Sequence, residues 1–444
     1  MDQSQKRFRL TVEDTASADY SKSDELVVET SLCLRHLPGR RTVWKALCQG
    51  TDVLLKVFDP HPKQRRDVDR EWNNTSKLYS AGLSIPAPLL RAKVDGGLVA
   101  VVYTFIEGGR TLDEVLVDAD EATQSECMRQ LVVMHVRQHA LGSYQSDDHL
   151  GNYLWSGGQL YLLDAGSCVM KPNSLGLDDR VKNMAMLTAN IPMAQRSHFE
   201  LAYSHYEELC LEEIDPRGFK VAMARAVPEA VSKRLGSYLR KTRRSSSKLE
   251  HQDFPSLSWH ACRDMDAALK GKLVENPEQF FKGKARLGSR SEQGERYAEV
   301  DIEHEGRSYV LRRYDQPSLG YRLCHFFSFP RALRVWSNGH ALRMVGMAST
   351  RPVACMIYKK WGMQAENYVL LEKPAGEPLP TLDESDLEED VKAQLVSVWR
   401  DLKFLRASHQ GVIASDLMVD GNGRLSLVDT ASIRFHQSAA DDAQ

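Results

Sequence analysis

The sequence predicts an α+β chain of two tandem domains built on one design, the second of them truncated. Three observations predict it. Residues 25–58 carry three short strand patterns rich in Val, Leu and Thr, ahead of a helical stretch around Glu71. A helix from about Glu121 to Ala140 then leads into a polar loop and a two-stranded ribbon that ends at Asp164. The same succession returns after residue 300, where Tyr309-Val-Leu-Arg312 resembles Val53-Leu-Leu-Lys56. A length of 444 residues suits two or three domains.

Composition narrows the function classes. The hydrophobic fraction of 42% is ordinary for a folded soluble protein. A formal net charge of -2 provides no global field for nucleic acid. The 8 cysteines form no CxxC pair, so neither a disulfide framework nor a zinc site is expected, and reduced cytosolic thiols are. The N-terminus lacks the apolar core of a signal peptide, and no run of about 18 apolar residues occurs. The expected location is cytoplasmic. A membrane-bound substrate would be reached from that side.

Residues 1–24 are polar and read as a loose N-terminal segment. Strands follow at Glu25-Leu-Val-Val-Glu-Thr, Thr42-Val-Trp-Lys-Ala-Leu and Val53-Leu-Leu-Lys56-Val-Phe58. Leu37-Pro-Gly39-Arg-Arg41 lies between the first two, where a phosphate-covering loop would sit; a hairpin turn accounts for a single Gly equally well. Lys56 lies inside an apolar strand and needs a partner, because an unpaired buried ammonium is costly. Glu71, fifteen residues on in a helical pattern, offers one. Leu98-Val-Ala-Val-Val-Tyr103-Thr104-Phe105-Ile-Glu107-Gly-Gly reads as a strand ending at a glycine hinge. The backbone from Thr104 through Phe105 to Glu107 could hold an adenine edge, or simply end a strand in a turn.

The loop Tyr144-Gln-Ser-Asp147-Asp-His-Leu-Gly-Asn152 and the ribbon ending Leu160-Tyr-Leu-Leu-Asp164-Ala-Gly166 carry the chemistry. Asn152 follows Asp147 by five residues, and Asp164 follows Asn152 by twelve. In kinase-type phosphotransfer one Asp takes the acceptor's proton, while an Asn and a second Asp hold Mg²⁺ on the ATP phosphates. Asp148 competes with Asp147 for the role of base but shortens the distance to Asn152 by one. His149 is read as bracing the loop. His135 and His139, on the preceding helix, are read as packing residues. Gln145 stands where many kinases have His. Any one Asp at a strand end is more often a turn residue than a metal ligand; the three polar residues together carry the assignment.

Residues 178–248 are helical by pattern. Asp178-Asp-Arg-Val-Lys-Asn183 fits the buried helix that anchors a kinase C-lobe. Phe199, Tyr203, Tyr206 and Leu209 share one face and read as core. The basic run from Tyr238 to Lys248 is either a solvated helix end or a contact to anionic headgroups or phosphates.

In the second half, Leu311-Arg-Arg-Tyr-Asp315 and Arg331-Ala-Leu-Arg-Val-Trp-Ser-Asn338 repeat the strand and helix of the first. A helix from about Glu389 to Arg406 leads into His409-Gln-Gly411-Val-Ile-Ala-Ser-Asp416, and Leu425-Ser-Leu-Val-Asp429 ends the repeat. Arg312 then replaces Lys56, Val335 replaces Glu71, Gly411 falls at the base and Asp416 at the Asn. A second register makes Asp416 the base and Gly421 the Asn. Either leaves an incomplete site, so this half reads as pseudokinase-like, for binding or support. The domains are 25–248 with a complete catalytic set, 249–437 degenerate, and a tail at 438–444.

Through these stretches the sequence resembles the lipopolysaccharide kinase family of the Kdo/WaaP type, as a tandem member of two protein-kinase-like domains. The resemblance implies ATP and Mg²⁺, with Lys56 on the α/β-phosphates and held by Glu71, Asp147 as base, and Asn152 and Asp164 as metal ligands. Gly39, Thr104, Phe105 and Glu107 would complete the nucleotide site. It implies a sugar hydroxyl of the lipopolysaccharide core, or a lipid A-linked acceptor, at the inner-membrane surface. Two other readings stay open: a catalytically silent nucleotide-binding or scaffold protein of envelope biogenesis, and a kinase for another acceptor such as a protein or an aminoglycoside.

Overall fold

The computed structural model describes residues 6–209, 215–283, 285–290, 295–314, 329–360, 363–380, 387–409, 411 and 413–436. The chain divides into two units, Met1–Ile191 with Gln195–Val227, and Pro192–Ala194 with Pro228–Gln444. Asp315 and the tail at 438–444 lie outside the described residues, as does the side chain of Leu209. Both units mix helices with several sheets. No described helix is long and apolar enough to cross a membrane.

Unit 1 begins with six strands: β1 (Arg7–Thr15), β2 (Glu25–Leu37), β3 (Arg41–Cys48), β4 (Thr51–Phe58), β5 (Pro88–Val94) and β6 (Leu98–Thr104). They close into a barrel of order β1-β2-β3-β4-β6-β5. Alternation along each strand sends one set of side chains inward: Leu10 and Val12, Leu26 and Val28, Trp44 and Ala46, Val53 and Leu55, Leu90 and Ala92, Ala100 and Val102. The N-terminal segment is therefore not loose from residue 7 onward. Its two alternating apolar residues suffice to close the barrel against β5. The opposite face of β4 and β6 carries Phe58, Val101 and Tyr103, which pack on helix α1 (Gln64–Ser80) through Val68 and Trp72. Glu71 lies on that same buried face of α1, with Val68, Thr75 and Leu78. The period of two along β4 puts Lys56 on the α1 side.

The rest of unit 1 comprises β7 (Arg110–Thr111), α2 (Leu112–Asp118), α3 (Glu121–Ala140), β8 (Ser143–Gln145), β9 (Tyr153–Ser156), β10 (Gln159–Leu162), β11 (Cys168–Met170), α4 (Leu177–Asn190) and α5 (Arg196–Leu209). β9 lies between β7 and β10, and β8 pairs with β11. Helix α6 (Pro216–Lys241) follows; from Pro228 it belongs to unit 2, as does the basic run that ends it, of which Arg240, Lys241, Arg244 and Lys248 are exposed. Arg243 stacks on Phe329 at 3.9 Å.

Unit 2 has a seven-stranded sheet. Its strands are β12 (Leu249–Asp253), β13 (Leu257–Cys262), β14 (Arg286–Arg290), β15 (Glu295–His304), β16 (Arg307–Tyr314), β17 (Pro352–Lys360) and β18 (Met363–Glu372), with α7 (Ala267–Glu275) after β13 and α8 (Arg331–Met344) after β16. The order is β12-β13-β17-β18-β16-β15-β14. Within it β15-β16-β18-β17 repeats the order β3-β4-β6-β5, and α8 falls between β16 and β17 as α1 falls between β4 and β5. Then come β19 (Glu377–Pro378), α9 (Glu389–Phe404), β20 (Ala407–His409), β21 (Leu417–Val419), β22 (Leu425–Leu427) and β23 (Ile433–Phe435). The sheets β19-β21-β22 and β20-β23 repeat those of β7-β9-β10 and β8-β11.

Candidate functional site

Lys56 is 6% exposed and Glu71 is 2% exposed. They form a buried ion pair through Lys56 Nζ and Glu71 Oε1. Tyr103 O–H donates to the same Oε1 at 2.8 Å, and Arg41 Nη1 stands 3.7 Å from Oε2. Both carboxylate oxygens are thus held, Oε1 by Lys56 and Tyr103 and Oε2 by Arg41, which fixes the Glu71 rotamer. Burial, and then the Glu71 charge, push the Tyr103 phenol well above its ordinary value, so it stays a donor. Gly166 has a direct reason to be glycine: a Cβ there would lie 2.0 Å from Glu71 Oε2 and 3.1 Å from Glu71 Cα. The ion pair and the turn after Asp164 are thereby locked together.

The polar loop is built from short backbone contacts. A turn at Leu150–Asn152 opens the β9–β10 hairpin, and Leu163 N–H donates to the Asn152 carbonyl at 2.8 Å. That bond brings Asp164 back beside Asn152. Asn152 Nδ2 donates to the Asp147 carbonyl at 2.8 Å and to Gln145 Oε1 at 3.2 Å, which fixes its amide and leaves Oδ1 as its acceptor. Lys56 Nζ reaches the Leu163 carbonyl at 3.5 Å, and Arg41 Nη2 stands 3.6 Å from Asp164 Oδ2. Burial pushes the Asp164 carboxyl up, but Lys56, Arg41 and Arg35 together hold it below the usual carboxylate range.

Asp148 has a separate part. It is 1% exposed, and its carboxylate accepts from Tyr153 O–H at 2.7 Å and from Asn183 Nδ2 at 3.2 Å and lies 2.7 Å from His135 Nε2. Burial opposes both charges, yet the pairing holds the Asp148 carboxyl low and raises the His135 imidazole. Asn183 on α4 also donates to the Gln145 carbonyl at 3.3 Å and meets His139 Nε2 at 2.8 Å. His135 and His139 are therefore hydrogen-bonding organisers of the loop, rather than the packing residues expected. Their partners come from α4, α5 and the loop itself, which local sequence does not reveal. Asp148 is used up in this network, while Asp147 beside it is exposed. The His149 ring leans on Gly151, where a Cβ would lie 3.2 Å from Nδ1.

Lys56, Thr104, Phe105, Asn152 and Asp164 line one cavity of about 450 Å³. Leu54, Leu154 and Leu163 give it apolar walls. Glu71 stands behind Lys56. Thr104 N–H donates to the Ala87 carbonyl at 3.0 Å and its Oγ1 accepts from Ala87 N–H at 2.9 Å, so its backbone donor is committed to β-pairing; Phe105 and Ile106 line the cavity beyond it. Glu107 is exposed, its carboxylate 3.1 Å from Lys45 Nζ and its carbonyl accepting from Ser156 Oγ at 2.8 Å. Gly39, at φ 67°, forms the β2–β3 turn. Asp147, Glu107 and Gly39 are not among the residues lining the cavity. Arg35 and Arg41 are, and sequence reasoning missed both, although Arg41 stood in the stretch read as a glycine loop.

Unit 2 repeats the frame with other side chains. Val428 N–H donates to the Asp416 carbonyl at 2.8 Å, as Leu163 does to Asn152. Asn338 Nδ2 donates to the Thr430 and Ile433 carbonyls at 2.8 and 2.9 Å, as Asn74 Nδ2 does to Ala165 and Cys168 at 3.4 and 2.8 Å. Arg312 takes the strand position of Lys56. Its carboxylate partner is Glu299 on β15, with Nε 2.6 Å from Oε1, so the partner has moved from helix to neighbouring strand. Val335 stands where Glu71 stands, and the residue after Thr430 is Ala431 instead of glycine. Asp429 pairs with Arg331 at 3.0 Å and accepts from Ala431 N–H at 2.9 Å.

No protein-family model matches the chain, and no curated protein matches it. Among solved structures, one described as WaaP in complex with acyl carrier protein is similar over 45% of this chain and 88% of that chain, at 16% identity and a TM-score of 0.33.

Proposed function

We propose that the chain is an ATP-dependent kinase acting through unit 1, and that unit 2 is a degenerate copy of the same kinase-like design. The observation that carries this reading is the buried Lys56–Glu71 pair on the wall of a cavity that also presents Asn152 and Asp164. A structural ion pair alone would not need a cavity in front of it, nor a glycine kept clear behind it.

The residues fit a nucleotide with a divalent cation. Asn152 and Asp164 offer the hard oxygen donors that Mg²⁺ takes. The charged residues lining the cavity are three cations, Arg35, Arg41 and Lys56, and two carboxylates, Glu114 and Asp164, with Glu71 paired behind Lys56; the three cations are the donors that phosphate takes. When bound, ATP supplies the phosphoryl group and Mg²⁺ offsets the charge on its oxygens. Lys56, held by Glu71, would bind the phosphates as a fixed positive charge. Asn152 and Asp164 would hold the cation. Leu54, Leu154 and Leu163 would exclude water from the adenine. Asp147, exposed at the loop, would orient the acceptor hydroxyl and take its proton. Catalysis would be mainly positioning and electrostatics.

The acceptor we propose is a sugar hydroxyl of the lipopolysaccharide inner core, reached at the cytoplasmic face of the inner membrane. Support for it is the sequence resemblance described above and the exposed basic residues at the end of α6. The test is Mg²⁺-dependent phosphate incorporation into purified core lipopolysaccharide, compared with an aminoglycoside and a protein acceptor, beside Asp147→Ala. Incorporation into the glycolipid alone, lost in the variant, supports the acceptor. Labelling of a different acceptor, or none of the three, refutes it.

A further inference from the structure

Unit 2 encloses a cavity of about 510 Å³ at the position that the catalytic cavity occupies in unit 1, between β16 and the β21–β22 hairpin. Arg312, Asp416 and Asp429 line it, and each is less than a tenth exposed. An inactive relic gains nothing from charge at such a place. Buried ionised groups are costly, and apolar side chains that fill the space would stabilise the unit more. The wall differs in kind from that of unit 1. Glu299 sits opposite Arg312 on the sheet, where Val43 sits opposite Lys56. Three cations (Arg286, Arg312 and Lys373) and five carboxylates (Glu299, Asp301, Glu377, Asp416 and Asp429) line the cavity; with Arg331, which pairs with Asp429 from outside the lining, the formal excess is one negative charge. The same count in unit 1, three cations against Glu114, Asp164 and the Glu71 behind Lys56, comes to zero.

We propose that this cavity is a second ligand site, which takes a phosphate-bearing small molecule as its divalent-cation complex. A phosphate alone meets an excess of carboxylates, which a divalent cation offsets. The carboxylates of Asp416 and Asp429 are hard donors suited to Mg²⁺ or Mn²⁺. The Arg312 guanidinium, already fixed by Glu299 and stacked on Tyr297 at 4.7 Å, presents a planar donor fork suited to phosphate. The charged wall at Glu299 suits a polar body, where Val43 in unit 1 offers an apolar one. The inference does not rest on the kinase reading of unit 1.

The test is titration of Mn²⁺ into the full-length chain, followed by electron paramagnetic resonance of the free ion, with ribose 5-phosphate, with ADP, or with neither. Asp164→Asn, Asp416→Asn and Met418→Trp are run beside the wild type. Met418 lines the cavity and is partly exposed, so its Trp variant fills the space without altering charge. The expected result is a Mn²⁺ site that appears with a phosphate compound, persists in Asp164→Asn, and weakens about tenfold or more in both unit 2 variants. The compound that supports it tells a phosphosugar from a nucleotide. Because the Asp416 carboxylate also caps Ile413 N–H at 3.1 Å, its variant could unfold the loop; Met418→Trp then decides. Mn²⁺ binding unchanged by Met418→Trp, or equal without any phosphate compound, overturns the proposal.

Discussion

Gly166 and Glu71 form a pair whose coupling can be worked from the structure. Gly166→Ala adds a methyl 2.0 Å from Glu71 Oε2 and 3.1 Å from its Cα, so the side chain and the helix must both give. Overpacking of this kind costs about 1–3 kcal/mol. It also pulls the carboxylate off Lys56, and a misplacement of about 1 Å costs on the order of 10²-fold in rate. Glu71→Val leaves the Lys56 ammonium buried without its main partner, at about 3–5 kcal/mol. Unit 2 already holds the other combination, Val335 with Ala431. The double variant Glu71→Val/Gly166→Ala is therefore expected to lose little stability beyond Glu71→Val alone, because the clash with the carboxylate is gone and only the 3.1 Å approach to the Cα remains. The coupling in a double-mutant cycle by urea unfolding should be about 1–3 kcal/mol, with activity absent in the double variant. Effects that add to within about 0.5 kcal/mol would refute the argument that Glu71 is what keeps position 166 a glycine.

Three further outcomes follow from the same contacts. Arg41→Ala removes a guanidinium 3.6 Å from Asp164 Oδ2, so the depressed carboxyl should rise and the acid limb of the pH–activity profile should move to higher pH; an unmoved limb would separate Arg41 from Asp164. Burial holds the His139 imidazole at about 3. The unfolded chain takes up that proton near the ordinary value of 6.5, so stability should fall as pH drops from about 6.5 to 3, by up to about 1.4 kcal/mol per pH unit from this group. His139→Gln should flatten the fall of the urea midpoint across that window. Asn183→Ala removes donors to Gln145 and Asp148 and should cost about 1–3 kcal/mol, with loss of activity through a displaced loop. Wild-type kcat in that variant would deny α4 its role as anchor.

Much of the cavity in unit 1 could be read from spacing, because its chemistry is set by short connections. Asn152 and Asp164 are joined by a tight hairpin, and a lysine within an apolar strand announces a buried partner. What escaped the sequence depends on contacts across the fold. Asp148 and Asp147 look alike in the chain; only His135, Tyr153 and Asn183, arriving from three elements, make one a buried anchor and leave the other exposed. Arg312 replaces Lys56 in the sequence and Val335 replaces its helical partner, so the acidic partner of Arg312 was not identified. Glu299 supplies it across the β15–β16 register, which no local pattern gives. β1 was missed because Leu10 and Val12 sit among polar residues, and their burial comes from closure of the barrel. Arg41 was read as part of a turn, whereas the start of β3 aims it at Glu71 and Asp164.

The central claim is that phosphoryl transfer belongs to unit 1. Its most direct test is Mg²⁺-dependent transfer from γ-labelled ATP to core lipopolysaccharide by the purified full-length chain, beside Asp164→Ala and Asp429→Ala, each checked for folding. The account predicts transfer by the wild type, none by Asp164→Ala, and a largely intact chemical step in Asp429→Ala. Equal loss in the two variants, or transfer that survives Asp164→Ala, would contradict it.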